Sequence, residues 1–301
     1  MSRHHKRTIV PKALLLLCLL FNAYLLTAQH LTLYTIPAPH RFHWESPGRL
    51  AFSYIRNAFS NSTQGKYRHP IGHMMVHLKD STREVIVGVS AVPHSGMTRK
   101  VLFKGYGLGI LFEKIKGKLD ETEVNLPDIQ QRSASGEIAF LQFSVSPAAF
   151  DLLWKYYSDY KEKRLYKIYN GLNHPFAGEG AGCSAFAFSF LDVAGLHDMV
   201  PFEICGIDRP VPFSLIHGPG DSGPKVSLFR LLFSRKWAAE KDPQALHYRT
   251  YEPTWLYEWI RDTHSSIPLT GKVQQSWINR APGILIDCRD LPVPAGPIWK
   301  F

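Results

Sequence analysis

Two segments in the first third of the chain have the hydrophobic pattern of neighbouring β-strands. Residues 73–78 alternate between apolar and polar side chains, and residues 84–90 are rich in valine and isoleucine. Residues 79–82 lie between them and supply turn-forming side chains, so the two segments are predicted to form a hairpin. Further strands are predicted over residues 49–58, 106–112, 137–145 and 283–288, a loop over the proline-containing residues 30–48, and a turn over residues 60–64.

Helical spacing of apolar residues marks three segments of the second half of the chain. Ser146 followed by Pro147 is a typical helix start, and four apolar residues then recur at i, i+3, i+4 and i+7. A glycine-rich turn over residues 178–182 precedes the second helix, which is predicted over residues 183–193. A third helix is predicted to begin near Pro253. The pattern as a whole predicts an α+β protein.

The first 28 residues have the pattern of a secretory signal. Basic side chains precede an apolar run over residues 13–26, and Ala28 supplies the small residue expected at a cleavage site. The apolar run is shorter than the about 20 residues that span a bilayer. Cleavage that leaves Gln29 or a near neighbour as the new N-terminus is therefore expected, with an uncleaved anchor as the alternative. The protein is predicted to be periplasmic or extracellular, and membrane-tethered if the signal is retained.

Charge and composition narrow the classes of partner. The chain has a formal net charge of +10, and removal of the four basic residues of the predicted signal leaves +6. This mildly basic balance favours an anionic surface such as a membrane or a cell-wall polymer, although a solvated surface is the simpler explanation. The basic residues are scattered and form no block, so nucleic acid is not expected as a partner.

Three cysteines remain after the predicted signal: Cys183, Cys205 and Cys288. An odd number in an oxidising compartment suggests one disulfide and one free thiol. The residues alone leave all three pairings open. If Cys205 pairs with Cys288, Cys183 is the free thiol.

Cys183 has a physical reason to be reactive. The N-terminus of a helix carries a partial positive charge and unpaired N–H groups, which favour thiolate over thiol. The same N–H groups, around Gly182 and Ser184, could bind a developing oxyanion. His73, at the opening of a strand, is the best candidate for the base that such a thiol needs.

The order of these motifs resembles that of a known group of enzymes. Gly72-His73 opens a strand and hairpin, and Gly182-Cys183-Ser184 opens a helix far downstream. This order resembles the circularly permuted papain-like thiol hydrolases and acyltransferases, relatives of the NlpC-type cell-wall endopeptidases and of lecithin–retinol acyltransferase. The resemblance implies a papain-like antiparallel sheet with flanking helices, a core over roughly residues 49–197, Cys183 as nucleophile and His73 as general base.

One feature departs from the pattern of that group, in which a polar residue on the neighbouring strand usually orients the histidine. A turn centred between residues 80 and 81 would pair His73 with Gly88, which has no side chain. Ser90, one step along the same face, and His94, beyond the strand end, are the candidate orienting partners. The departure leaves open a degenerate site.

Each of these residues also has an alternative role that involves no catalysis or a different one. Cys183 could be a buried structural thiol or a disulfide partner, and His69 is an alternative base. His73 and His77 are about 13 Å apart along a strand, too far to share a metal ion, so no metal or other cofactor is predicted. His174 is either a cleft residue or a loop residue.

The sequence thus predicts a signal over residues 1–28, a permuted papain-like core over 29–197 and a C-terminal elaboration over 198–301 packed on it. The predicted function is thiol-dependent hydrolysis or transfer of an amide or ester acyl group, on a cell-wall peptide or a lipid of the cell envelope. The alternative is a catalytically degenerate exported binding or structural protein. No stable membrane span is expected after cleavage of the signal, and the sequence leaves the oligomeric state open.

Overall fold

The fold is organised around an eight-stranded sheet in a mixed α+β arrangement. The computed structural model describes residues 29–63, 69–92, 97–171, 174–218 and 224–299. The predicted signal and His94 lie outside these ranges. The strand order in the sheet is β6-β4-β3-β2-β1-β5-β10-β9, and every neighbouring pair is antiparallel except β5 and β10, which are parallel.

The helices and strands have the following bounds. The helices are α1 (Pro47–Thr63), α2 (Met97–Phe103), α3 (Thr122–Ser135), α4 (Pro147–Glu162), α5 (Cys183–Ala194), α6 (Phe202–Cys205), α7 (Leu228–Leu232) and α8 (Pro253–His264). The strands are β1 (Gln29–Ile36), β2 (His73–Lys79), β3 (Glu84–Ala91), β4 (Ile115–Asp120), β5 (Ala139–Val145), β6 (Ile168–Tyr169), β7 (Gly206–Val211), β8 (Leu246–Tyr251), β9 (Val273–Ile278) and β10 (Ala281–Asp287). Strands β7 and β8 pair with each other in a separate small sheet.

The prediction of a loop over residues 30–48 is wrong, because β1 is a central strand of the sheet. It pairs with β2 on one side and with β5 on the other. Residues 31–36 are all buried, and the Thr35 hydroxyl is satisfied by donating to the Pro253 carbonyl at 2.7 Å. The prolines that suggested a loop follow this strand and do not interrupt it.

The prediction of a strand over residues 49–58 and a turn from residue 60 is also wrong, because this segment is helix α1. Pro47 occupies the start of the helix, where its missing N–H costs nothing. The predicted strand over 106–112 is replaced by a 3₁₀ helix over Leu108–Leu111. Gly107 precedes it with a φ of +55°, and a Cβ there would lie 2.5 Å from the Leu215 carbonyl oxygen.

The other predicted elements are confirmed. Strands β2 and β3 form the hairpin, and β5 and β10 match the predicted strands. Helix α4 begins after Ser146, whose hydroxyl accepts from the Ala149 N–H at 3.3 Å. Helix α5 begins at Cys183 and ends at Gly195, which has a φ of +70°, and α8 begins at Pro253.

The predicted register of the hairpin is wrong by two residues. Lys79 pairs with Glu84, so the turn is centred one position later than predicted. Asp80 stabilises the shifted turn by accepting hydrogen bonds from the Thr82 and Arg83 N–H groups. If this register were continued to the start of β2, His73 would lie opposite Ser90 and not opposite Gly88.

Two layers of helices cover the sheet. One face shares a core with α4, α5 and α8, which contribute Phe150, Phe186 and Leu256 among other fully buried side chains. On the other face, Ile129 of α3 packs in a cluster with Tyr34 and residues of neighbouring strands. No helix within the described residues is long and apolar enough to cross a membrane.

The C-terminal segment contributes directly to the main sheet. Strand β10 pairs with β5, and β9 extends the sheet beyond it. The predicted division of the chain at residue 197 stays a prediction.

Candidate active site

Helix α5 presents Cys183 at its first position. Gly182 is the N-cap, and the first hydrogen bond within the helix runs from the Phe186 N–H to the Gly182 carbonyl at 3.0 Å. The N–H groups before Phe186 therefore have no acceptor inside the helix. A Cβ on residue 182 would lie 2.8 Å from the Asn170 carbonyl oxygen, so glycine is needed for this close approach.

The opening of strand β2 places His73 at a gap in the sheet. Gly72 turns the chain into the strand with a φ of +74°. The pairing of β2 with β3 begins at Val76, whereas the far end of β3, from Gly88, pairs with β4. The His73 ring is buried beside Gly88, where a Cβ would lie only 3.2 Å from its Nε2 atom.

The structure brings Cys183 and His73 together. Burial alone would raise the pKa of the Cys183 thiol, but the charge of His73 and a hydrogen bond from its ring act in the opposite direction. Hydrogen bonds from the Met74 N–H and the Tyr169 hydroxyl also favour the thiolate. Together with His73, they outweigh burial and lower the pKa of Cys183 to about 7. A substantial fraction of the thiol is thus ionised at neutral pH, which is what a nucleophilic cysteine requires.

The two other described cysteines have the opposite character. Burial, with the nearby Glu252 charge, raises the pKa of Cys205 to about 12. Burial, with the nearby Asp287 charge, raises the pKa of Cys288 to about 11. All three are free thiols, so the expectation of a disulfide is wrong. Cys183 is the one among them that its surroundings favour as a thiolate.

The His69 ring packs against the His73 ring. The two imidazole rings are stacked, with centroids 4.4 Å apart and an angle of 3° between their planes. His69 Nε2 lies 2.7 Å from Asp128 Oδ2, and Arg132 donates to the other oxygen of that carboxylate at 2.7 Å. Burial, followed by the charge of His73, lowers the pKa of His69 to about 4, although Asp128 acts in the opposite direction. His69 is thus a neutral ring at pH 7, held in place by helix α3.

Ser90, proposed above as an orienting partner, has another partner in the structure. Its hydroxyl donates to Asp120, the residue that pairs with Gly88 in the neighbouring strand. Lys118 also donates to the Asp120 carboxylate, at 2.5 Å. His94, the other candidate, lies outside the described residues. Ser184 is adjacent to the thiol, with its Oγ 3.9 Å from Cys183 Sγ.

The remaining candidate histidines lie elsewhere. His77 Nε2 is 2.9 Å from Glu84 Oε1 at the edge of the hairpin. His174 is exposed and lines a separate depression with Phe176 and Asp192. Within the described ranges, no group of three histidine, cysteine or acidic residues is placed to hold a metal ion.

A cavity of about 230 Å³ leads to Cys183. Its wall is mostly apolar and is built by α1, α2, the 3₁₀ helix and α7, with Leu50, Val101, Leu108, Ile110, Leu111 and Leu231 among the lining residues. The two acidic lining residues already have partners. Glu113 accepts from Lys100 at 2.5 Å, and buried Glu252 accepts from Trp44 at 3.3 Å and from the Thr254 N–H at 3.0 Å.

Comparisons of the chain with protein-family models, with curated proteins and with solved structures found no match. The assignment of the site therefore depends on its geometry. Three of its parts were missed from the sequence: the Tyr169 hydroxyl, the Met74 N–H and the Asp128 carboxylate. No local pattern marks them, because each comes from a different element. His69 was considered from the sequence as an alternative base, whereas the structure stacks it on His73.

Proposed function

We propose that the protein is an exported thiol hydrolase or acyltransferase that forms an acyl-enzyme on Cys183. The observation that carries the proposal is the lowered pKa of this thiol at the start of a helix, beside His73. A cysteine in such surroundings is typical of nucleophilic catalysis and unusual for a structural thiol. The order of a histidine strand followed by a cysteine helix, and the antiparallel sheet between them, support a permuted papain-like fold.

In the proposed reaction, the Cys183 thiolate attacks the carbonyl carbon of an ester or amide. The resulting oxyanion is stabilised by N–H groups at the start of α5, near Gly182 and Ser184. The tetrahedral adduct collapses, the carbon–oxygen or carbon–nitrogen bond breaks, and the leaving group takes a proton from the His73 imidazolium. His73 then removes a proton from water or from an acceptor alcohol or amine, which attacks the thioester and regenerates the thiolate.

The apolar cavity favours an acyl chain over a cell-wall peptide as the group that is transferred. Peptides of the cell wall carry charged and amide groups, which lose hydrogen bonds in an apolar wall. The acidic groups of the cavity are already bonded within the protein and do not offer partners to a peptide. A lipid ester or amide is therefore the proposed substrate class.

The first test is the pH dependence of iodoacetamide alkylation, resolved for each cysteine by peptide mass spectrometry. Cys183 should react with an apparent pKa near 7, while Cys205 and Cys288 should resist until the protein unfolds. A His73→Ala variant should shift the Cys183 profile upward, and His77→Ala is the matched control on the same strand. An unreactive Cys183, or the same profile in wild type and His73→Ala, would contradict a Cys–His pair.

The second test uses p-nitrophenyl esters with acyl chains from acetyl to palmitoyl. Turnover should rise with chain length as long as the chain fits the cavity, and mass spectrometry should detect a thioester on Cys183. The Cys183→Ser variant should lose both signals. A preference for the acetyl ester would contradict the proposed substrate class without contradicting the thiol mechanism.

A binding protein without turnover is the second candidate, and the apolar character of the cavity favours it. Such a protein would bind a long-chain fatty acid equally well in wild type and in Cys183→Ser. It would accumulate no thioester with any of the esters.

The proposed export also has a direct test. Strand β1 begins at Gln29, next to the predicted cleavage site. N-terminal sequencing of the protein recovered from outside the cytoplasm should therefore start at Gln29 or a close neighbour. An intact N-terminus would favour a retained anchor.

A further inference from the structure

Five phenylalanine side chains are exposed on three helices that surround the cavity. We call this group the phenylalanine patch. Its members, with their exposed fractions, are Phe52 (62%) and Phe59 (72%) on α1, Phe103 (80%) on α2, and Phe229 (72%) and Phe233 (63%) on α7 and its C-cap. Single exposed apolar residues need no explanation, but a concentration of large aromatic side chains marks an interaction surface.

Backbone hydrogen bonds tie together the segments that carry the three helices of the patch. The Gly48 N–H at the start of α1 donates to the Ser234 carbonyl at 2.9 Å, just after α7. The Val226 N–H donates to the Gly105 carbonyl at 2.8 Å, which ties the segment before α7 to the end of α2. On α7, the rings of Phe229 and Phe233 are 4.4 Å apart.

The inner faces of the same helices form the wall of the cavity. Leu50, Val101 and Leu231, one from each helix, are buried in a common cluster and line the space that leads to Cys183. The patch is thus separated from the cavity by a single layer of helices.

Basic side chains surround the aromatic ones. On α1, the exposed positions alternate as Arg49, Phe52, Arg56 and Phe59. The three segments 47–63, 97–107 and 225–239 contain no acidic residue, and their exposed basic residues are Arg49, Arg56, Arg99, Lys104, Lys225, Arg230, Arg235 and Lys236. Helices with aromatic and basic side chains of this kind are typical of surfaces that lie in the interface of an anionic membrane.

We propose that the phenylalanine patch docks the protein on an anionic lipid bilayer, with the five rings inserted below the headgroups and the basic side chains at the phosphate level. The acyl substrate would then pass from that leaflet between α1, α2 and α7 into the cavity. The docking is argued from the composition of the surface alone, whereas the delivery of substrate also depends on the proposed function.

A second copy of the chain fits this surface less well. A symmetric dimer would place the patch of one copy against the patch of the other. Arg49 pairs with Glu45, just before α1, at 4.0 Å, but the three segments themselves contain no acidic residue. The basic residues of the two copies would therefore face like charges, which are unfavourable at an interface. An anionic lipid surface supplies the opposite charge that this face lacks.

The test is co-sedimentation of residues 29–301 with vesicles of phosphatidylcholine, with or without phosphatidylglycerol. Wild type should bind the anionic vesicles, and the affinity should fall as salt is raised. The variant Phe52→Ser/Phe229→Ser/Phe233→Ser should bind at least about tenfold more weakly, because even partial burial of three rings is worth more than that factor. The charge variant Arg56→Gln/Arg230→Gln/Lys236→Gln should lose the preference for phosphatidylglycerol.

The matched control is Leu269→Ser/Trp277→Ser, which removes exposed apolar side chains (73% and 58%) outside the patch and should bind as wild type does. An unchanged Cys183 alkylation profile verifies the fold of each variant. Equal binding by the patch variant and wild type, or no binding by wild type, would overturn the proposal, as would a wild-type dimer that the patch variant abolishes. Vesicle binding by a wild type that turns over no ester would leave the docking intact and reject the proposed function.

Discussion

Gly88 lies where a side chain would disturb the candidate dyad. A Cβ on this residue would be 3.2 Å from His73 Nε2, closer than a relaxed contact, and the buried ring has little room to move away. We therefore expect Gly88→Ala to displace the His73 ring and to raise the pKa of Cys183 from about 7 toward its ordinary value. The pH profile of Cys183 alkylation measures this shift directly.

Ser90→Ala is the informative comparison for that variant. The Ser90 hydroxyl donates to Asp120, so its removal should leave the Cys183 profile close to that of wild type. An equal shift in both variants would mean that Ser90 orients His73, as the sequence suggested. An unchanged profile in Gly88→Ala would show that the ring contact does not control the thiol.

At this scale the sequence predicted the candidate pair, Cys183 and His73, and missed most of the groups around it. Cys183 and His73 could be found because a helix start after glycines and a strand start after Gly72 are local patterns. Tyr169 reaches the thiol from strand β6, and Asp128 reaches His69 from helix α3. Such contacts depend on how distant elements pack, which no local spacing encodes.

At the scale of elements, the burial of His69 between His73 and α3 should make the fold sensitive to acid. Burial and the charge of His73 lower the pKa of His69 to about 4 in the folded protein, against 6.5 in the unfolded chain. The unfolded chain therefore binds the proton first as the pH falls, so stability is full above pH 6.5 and is lost through about pH 4. At about 1.4 kcal/mol per pKa unit, His69 accounts for about 3 kcal/mol at most, since its side chain is partly exposed.

Urea unfolding at pH 7 and at pH 4.5 checks this expectation. His69→Gln can still bond to Asp128 but does not titrate, so it should lose about 1–2 kcal/mol less stability than wild type over this interval. His247→Gln, which removes a half-exposed histidine paired with Asp208 at 3.3 Å, should behave as wild type does. The same loss in His69→Gln and wild type would show that His69 is not the acid-sensitive group.

Two of the elements that the sequence misassigned, β1 and α1, were misassigned for physical reasons. Strand β1 is buried between two neighbours, but the prolines that follow it at residues 37 and 39 suggested a loop throughout. In α1, the buried residues Leu50, Ala51 and Ser53 face the core, while the exposed residues alternate between arginine and phenylalanine. A helix with aromatic residues on its outer face has no clear apolar stripe, and for that reason its period was misassigned.

At the scale of the whole molecule, the sheet joins parts of the chain that are far apart in sequence. Strand β1 lies between β2 and β5, and β5 in turn pairs with β10, which comes more than a hundred residues later. The parallel pairing of β5 with β10 is a feature that no turn sequence could predict, since no short connection links the two strands. The α+β class was predictable from local patterns, whereas this order of strands was not.

The same topology gives the last prediction, which concerns a fragment of residues 29–197. Without the C-terminal segment, β5 loses its pairing with β10, and the core loses Leu256 and Ile260 of α8. Thr35 also loses the Pro253 carbonyl as the acceptor of its buried hydroxyl. Strand β5 keeps its pairing with β1 but becomes an exposed edge strand. Because a buried strand turned into an open edge and an uncovered apolar core are each unfavourable, we expect the fragment not to unfold cooperatively in urea and to show no reactive Cys183.

Co-expression with residues 198–301 is the control for this fragment, because it restores every missing contact without restoring the peptide bond. The pair should recover cooperative unfolding and a Cys183 alkylation pKa near 7. If the fragment alone unfolds cooperatively and keeps that pKa, the candidate site belongs to an independent N-terminal domain, and the C-terminal segment is an addition to it. If only the pair does so, the site depends on a sheet that the two ends of the chain complete together.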